Sequence, residues 1–174
     1  MKESEEIWIE SINTERQAGN VTLANQLISK GRQVLPNSGY LWEESIKLIP
    51  KPQRQKYIGN AIKEKEDDPY IILSAGKLFW SVRKIPNARN WLKRAIEKRK
   101  DIGDFWATLY IFELQNGTVE QQQQVIRDCV QANPRYGKVW PVIRKRKENR
   151  RKSTEEILKL VAEEMKDVIV EFEK

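Results

Sequence analysis

Three groups of residues in this 174-residue chain are of types that could do chemistry. The first is Cys129, the single cysteine, whose thiol could serve as a nucleophile. It has no histidine to activate it, because the chain contains none, and that also removes the commonest protein metal ligand. The second group is the paired carboxylates Asp67-Asp68 and Glu155-Glu156, which could share acid–base work. Both pairs stand where helices are expected to begin, and negative charge there favours the helix dipole. No phosphate-binding loop, dinucleotide fingerprint or zinc-type spacing is present. These readings point away from an enzyme and from any metal, cofactor or small-molecule substrate.

The third group is basic. Between Arg135 and Lys152 lie Arg135, Lys138, Arg144, Lys145, Arg146, Lys147, Arg150, Arg151 and Lys152, opposed only by Glu148, a local charge of +8. The whole chain carries +7, so the remainder carries −1 and the basicity belongs to one segment. Three functions suit Arg144, Lys145, Arg146, Lys147, Arg150, Arg151 and Lys152: contact with RNA phosphates, contact with an acidic protein, or a nuclear-import signal. The alternative is a solvated helix end, where cations favour the dipole in any case. The glutamine run Gln121 to Gln124 reads as a polar helix surface.

Positioning these groups falls to helices. A third of the residues are charged and the mean hydropathy is −0.71, which fits a soluble chain. No apolar run approaches the ~20 residues that span a bilayer, so no membrane partner is expected. Met1 to Glu6 is acidic and polar, unlike a secretory signal. A lone cysteine cannot form an internal disulfide, which suits the cytosol or nucleus. Trp8 and Trp42 are 34 positions apart, as are Trp106 and Trp140, and 34 before Trp106 stands Ile72. Eleven positions before four of these five markers is a small residue: Gly31, Ala61, Ala95 and Cys129. Bulky pairs lie four and three positions before each small one: Leu27 and Ile28, Tyr57 and Ile58, Trp91 and Leu92, Val125 and Ile126. That spacing places each set on one helical face.

Each unit therefore reads as two helices, the first carrying the marker and the second the bulky pair and small residue. First helices are expected near 4–17, 38–49, 69–83, 103–115 and 136–149. Second helices are expected near 21–34, 52–65, 86–99, 118–131 and 153–170. The step from Trp42 to Ile72 is 30, which reads as four residues missing from the turn near Pro50-Lys51-Pro52. Thr118 to Gln121 and Ser153 to Glu156 are capping boxes. Asn116-Gly117 is a helix stop, since both residues tolerate the left-handed conformation. Pro86 suits a helix start and Pro141 a first turn. The expected fold is all-α, an α-solenoid of about five antiparallel helix-pair repeats, near 4–36, 38–66, 68–101, 103–134 and 136–170, in one domain. The last helix reads as a cap, with Glu163, Glu164, Lys166 and Asp167 beside Ile157, Leu158, Val161 and Met165. The markers Trp8, Trp42, Ile72, Trp106 and Trp140, and the small residues, read as core. Cys129 shares the slot of the small residues and reads as core with them. Trp91 reads as core, and Trp80 as half-exposed and able to touch a partner.

A tetratricopeptide repeat wants a small residue four positions after the marker, where this chain has Ile12, Ile46, Gly76, Tyr110 and Arg144. The pattern instead resembles the HAT ("half a TPR") repeat: Trp106, Leu109, Phe112 and Glu113 fit its marker, three, six and seven positions. Trp8 and Glu15 fit its ends, while Ile49, Phe79 and Lys147 replace the Glu elsewhere. The runs Lys77 to Ile85, Ala88 to Trp91, Gly103 to Trp106, Phe112 to Thr118, Asn133 to Trp140 and Ile157 to Ala162 are similar to the C-terminal region of the pre-mRNA-processing factor six family. The likeness covers about 67–165, and earlier residues share only the repeat pattern. The resemblance implies a C-terminal fragment of a longer nuclear protein. It further implies a non-enzymatic scaffold that binds other spliceosomal snRNP proteins, bridging U5 to U4/U6 in the tri-snRNP. A direct RNA-binding module, touching snRNA through residues 144–152, is the alternative.

Overall fold

The computed structural model describes residues 4–167. In these it has ten α-helices, one 3-10 helix and no strand. The helices are α1 (Glu5–Gln17), α2 (Val21–Val34), α3 (Gly39–Lys47), α4 (Lys51–Glu64), α5 (Pro69–Ser81), α6 (Ile85–Lys98), α7 (Gly103–Asn116), α8 (Val119–Ala132), α9 (Val139–Arg144) and α10 (Thr154–Met165). The chain is thus all-α and built of consecutive helix pairs, the building plan of an α-solenoid. The last helix, expected to reach about 170, ends at Met165 with Lys166 and Asp167 in a turn, and the expected residues beyond 167 lie outside the described residues.

The chain divides into two compact units, Met1–Ser74 and Ala75–Lys174. In the first, Trp8, Ile12, Ile28, Tyr40 and Leu41 form a buried cluster that joins α1, α2 and α3. Gly31 is required there by contact: a Cβ would sit 3.1 Å from both Trp8 and Leu41. Trp42 stacks on Tyr57 of α4 with ring centroids 6.0 Å apart. In the second unit α7 is buried from Phe105 to Glu113, with α6, α8 and α10 packed against it. Trp80 meets Phe112 edge-on at 5.2 Å.

Both capping boxes form, at Thr118 with Gln121 and at Ser153 with Glu156. Four expectations change. The 30-residue step is not a shortened turn, because residues 18–20, 48–50 and 82–84 all connect helices with the same three-residue length. It is α3 that is short, 9 residues against 13 in α1 and α5. Gly117 ends α7 with extended backbone, φ −103° and ψ 170°, rather than left-handed. Its Cβ would lie 2.0 Å from the Glu113 carboxylate, so close approach explains the glycine. Trp80 is 1% exposed and has no face to offer a partner. The helix expected over 136–149 is only α9, followed by a 3-10 turn at Lys147–Asn149. Continued as a helix, the segment would bring the cations Arg144 and Lys147 together at i,i+3, and the buried Asn149 side chain donates to the Ile143 carbonyl at 2.7 Å, ending the helix there.

Candidate interaction site

The core positions come first, because they set what is left for the surface. Trp8, Trp42, Ile72, Trp106, Trp140, Gly31, Ala95 and Cys129 are buried, whereas Ala61 and Trp91 are half-buried. Trp91 stacks on Phe79 and lies under Arg94. The indole N–H of Trp106 donates to the Lys100 carbonyl at 2.9 Å. Burial pushes the Cys129 thiol up to about 12, so it holds no thiolate at neutral pH. Trp106 also floors a 540 Å³ groove between α6 and α8, whose rim mixes Lys93 and Lys100 with Glu97 and Asp128.

Two buried carboxylates tie neighbouring helices together. Glu113 on α7 is fully buried and accepts from Arg89 Nε on α6 at 2.6 Å and from its Nη2 at 3.3 Å. The same guanidinium lies 5.4 Å from the Phe112 ring centre. Glu44 on α3 accepts from Arg16 of α1 at 2.5 Å and from Lys47 at 3.0 Å. Burial acts to raise the Glu44 carboxyl, but the charges and hydrogen bonds of Lys47 and Arg16 outweigh it and hold the group below its ordinary range. A depressed carboxyl stabilises the fold above the unfolded value and loses that contribution as pH falls. Thermal melting should therefore drop on acidification below pH 4.5, the ordinary value, and Glu44→Gln should flatten that part of the profile.

The basic segment is built on these helices. Asp104 of α7 reaches across to α9 within the second unit and caps it. Its carboxylate accepts from the backbone N–H groups of Lys138 at 2.8 Å, Val139 at 3.0 Å and Trp140 at 2.9 Å. Gly137 passes over it with φ +133°, where a Cβ would sit 2.2 Å from the carboxylate. Tyr136 donates its N–H to the Asp101 carbonyl at 2.9 Å and accepts from Gly103 N–H at 2.8 Å. Trp140 and Ile143 are buried beneath the segment. Arg144 Nη1 donates to the Lys152 carbonyl at 2.7 Å. Thr154 Oγ1 lies 3.3 Å from Asn133 Oδ1, so the segment from 133 to 154 leaves and returns at one point. Asp104→Ala should free three donors and loosen α9, lowering stability by about 1–2 kcal/mol, with faster amide exchange at 138–140 as the readout.

The structure thus gathers Arg144, Lys145, Arg146, Lys147, Arg150 and Arg151, all exposed, with half-buried Lys152, on one closed loop. Sequence reading missed Asp104, Asn149, Arg89 and Tyr136. The first two act through backbone groups, which leave no residue pattern. Glu113 was visible only as a repeat position, without its partner.

No family model matches the chain. It is 45% identical over 117 residues to "Pre-mRNA-processing factor 6" of Homo sapiens, covering 67% of this chain and 12% of that protein. It is 41% identical over 112 residues to "Protein STABILIZED1" of Arabidopsis thaliana, 64% of this chain and 11% of that one. Against "Pre-mRNA-splicing factor prp1" of Schizosaccharomyces pombe the identity is 33% over 157 residues, 90% of this chain and 17% of the relative. The chain therefore spans only 11% to 17% of the length of these relatives. Over that segment, an all-helical run of paired helices, the chain belongs to the pre-mRNA-processing factor 6 family.

Proposed function

We propose that this chain is a non-enzymatic scaffold in pre-mRNA splicing, part of a nuclear protein that bridges the U5 particle to the U4/U6 particle in the tri-snRNP. The observation that carries the reading is the 45% identity to a pre-mRNA-processing factor over two thirds of the chain. The partners are other spliceosomal snRNP proteins. The chemistry of the chain supports the reading. Its thiol is buried and protonated. Among the described residues the two most deeply buried carboxylates, Glu44 and Glu113, are each held by a cation of a neighbouring helix. No metal-ligand cluster occurs among the described residues. No described helix is long and apolar enough to cross a membrane. Stacked helix pairs bury a continuous core and leave an extended surface for partners.

Affinity purification of the full-length parent protein from nuclear extract tests this. Recovery of proteins and snRNAs of both particles is the expected result. Recovery of neither would overturn the splicing assignment, and recovery of one particle alone would overturn the bridging role.

A further inference from the structure

We propose that the closed basic loop, residues 133–154, binds single-stranded nucleic acid, with its cations on phosphates and the Tyr136 ring stacked on a base. This goes beyond the scaffold role and stands on observations independent of it.

The loop is confined and pre-ordered. Its ends meet at Asn133 and Thr154. Asp104 caps α9 from outside, and Asn149 and Arg144 tie its far end through the Ile143 and Lys152 carbonyls. Trp140 and Ile143 anchor it to the core. The cations are thus held together at a fixed place rather than on a free tail.

Among the described residues, no carboxylate pairs with Lys145, Arg146, Lys147, Arg150 or Arg151. Glu148 is the only acid within the segment. The acids that flank it are engaged elsewhere: Asp101 pairs with Arg99 at 2.8 Å, Asp104 is used by three backbone donors, Glu155 pairs with Lys159 at 2.9 Å, and Glu156 accepts from the Ser153 N–H at 2.7 Å. Such a surface gains free energy from a polyanion by releasing the counterions of each phosphate it meets.

Tyr136 selects the kind of polyanion. It is 58% exposed, and among the described residues it is the only aromatic left exposed. Its backbone is bonded on both sides, to Asp101 and from Gly103, so little freedom is lost when the ring finds a partner. Every base has a face for an aromatic ring, but only an unpaired strand presents it. An acidic protein would satisfy the cations and leave the exposed ring without a use.

The test is fluorescence anisotropy of a labelled oligouridylate against the whole 174-residue chain over a range of salt concentrations. Binding at moderate salt is expected. Tyr136→Ala and Tyr136→Leu should each weaken it about 5- to 150-fold with an unchanged salt slope, while Tyr136→Phe binds as the wild type. A quadruple Gln variant at Arg146, Lys147, Arg150 and Arg151 should weaken binding and cut the logarithmic salt slope by about 3, at roughly 0.7 per phosphate. Arg144 and Asn149 stay unchanged because they hold the loop. Thermal melts matching wild type identify the losses as contact losses. Absence of binding overturns the proposal, as does wild-type affinity in both Tyr136→Ala and Tyr136→Leu. Displacement of the strand by polyglutamate as readily as by unlabelled oligouridylate would assign the loop to an acidic protein instead.

Discussion

Arg89→Ala is expected to destabilise the second unit by about 3–5 kcal/mol, the cost of leaving a buried carboxylate without its cation. Glu113 has no exposed surface, and Arg89 supplies two of its hydrogen bonds. The carboxylate has little room to move, because its Oε2 would lie 2.0 Å from a Cβ placed at Gly117. Arg89 also covers the Phe112 ring, so truncation loses packing as well as charge. Lysine would not substitute, since it lacks the fork that meets both oxygens. The paired replacement Arg89→Met with Glu113→Leu should recover most of the loss, because an apolar pair of similar volume avoids the desolvation cost. Urea unfolding followed by circular dichroism measures all three. A single-variant loss below about 1 kcal/mol, as for a surface ion pair, would mean that Glu113 is not isolated from water.

Trp140→Ala should cost a similar amount, about 3–5 kcal/mol, by opening a cavity under the basic loop. Trp140 is 2% exposed, and α7 approaches it so closely that a Cβ on Gly103 would fall 2.0 Å from its Cδ2. Gly103→Ala on its own should therefore destabilise by about 1–3 kcal/mol or more through overpacking. The two changes share one space, so they should not add. In the Trp140→Ala background the methyl of Gly103→Ala enters a void and should be close to neutral. Strict additivity would contradict the packing described.

Core and surface were unequally legible in the sequence. The marker spacing located nine of the helices to within a few residues, because burial on one face repeats with the helical period. The bulky residues four after the markers, which set the chain apart from the tetratricopeptide pattern, are buried at Ile12, Ile46 and Tyr110. What failed depended on contacts distant along the chain. Trp80 looked available because it lies off the marker register, yet Phe112 of α7 covers it. The 30-residue step was assigned to a turn because prolines flank it, whereas α3 absorbed the loss. A glycine after a helix suggests a left-handed stop, whereas Gly117 is set by the close approach of the Glu113 carboxylate. The basic run was plain in the sequence, but its closure was not. Closure rests on one side-chain contact between Asn133 and Thr154, and on Asp104 reaching 34 to 36 residues ahead.

The Cys129 thiol and the carboxylates of Glu44 and Glu113 are inside, whereas Asp67 and Glu156 face water. The repeat tryptophans hold the helices, and the exposed loop carries the charge.

Crosslinking mass spectrometry on the native particle tests the scaffold role most directly. Exposed lysines of this chain outside the basic loop, Lys30 and Lys93 among them, should crosslink to proteins of both the U5 and the U4/U6 particles. Crosslinks confined to the parent protein itself, or to one particle, would contradict it.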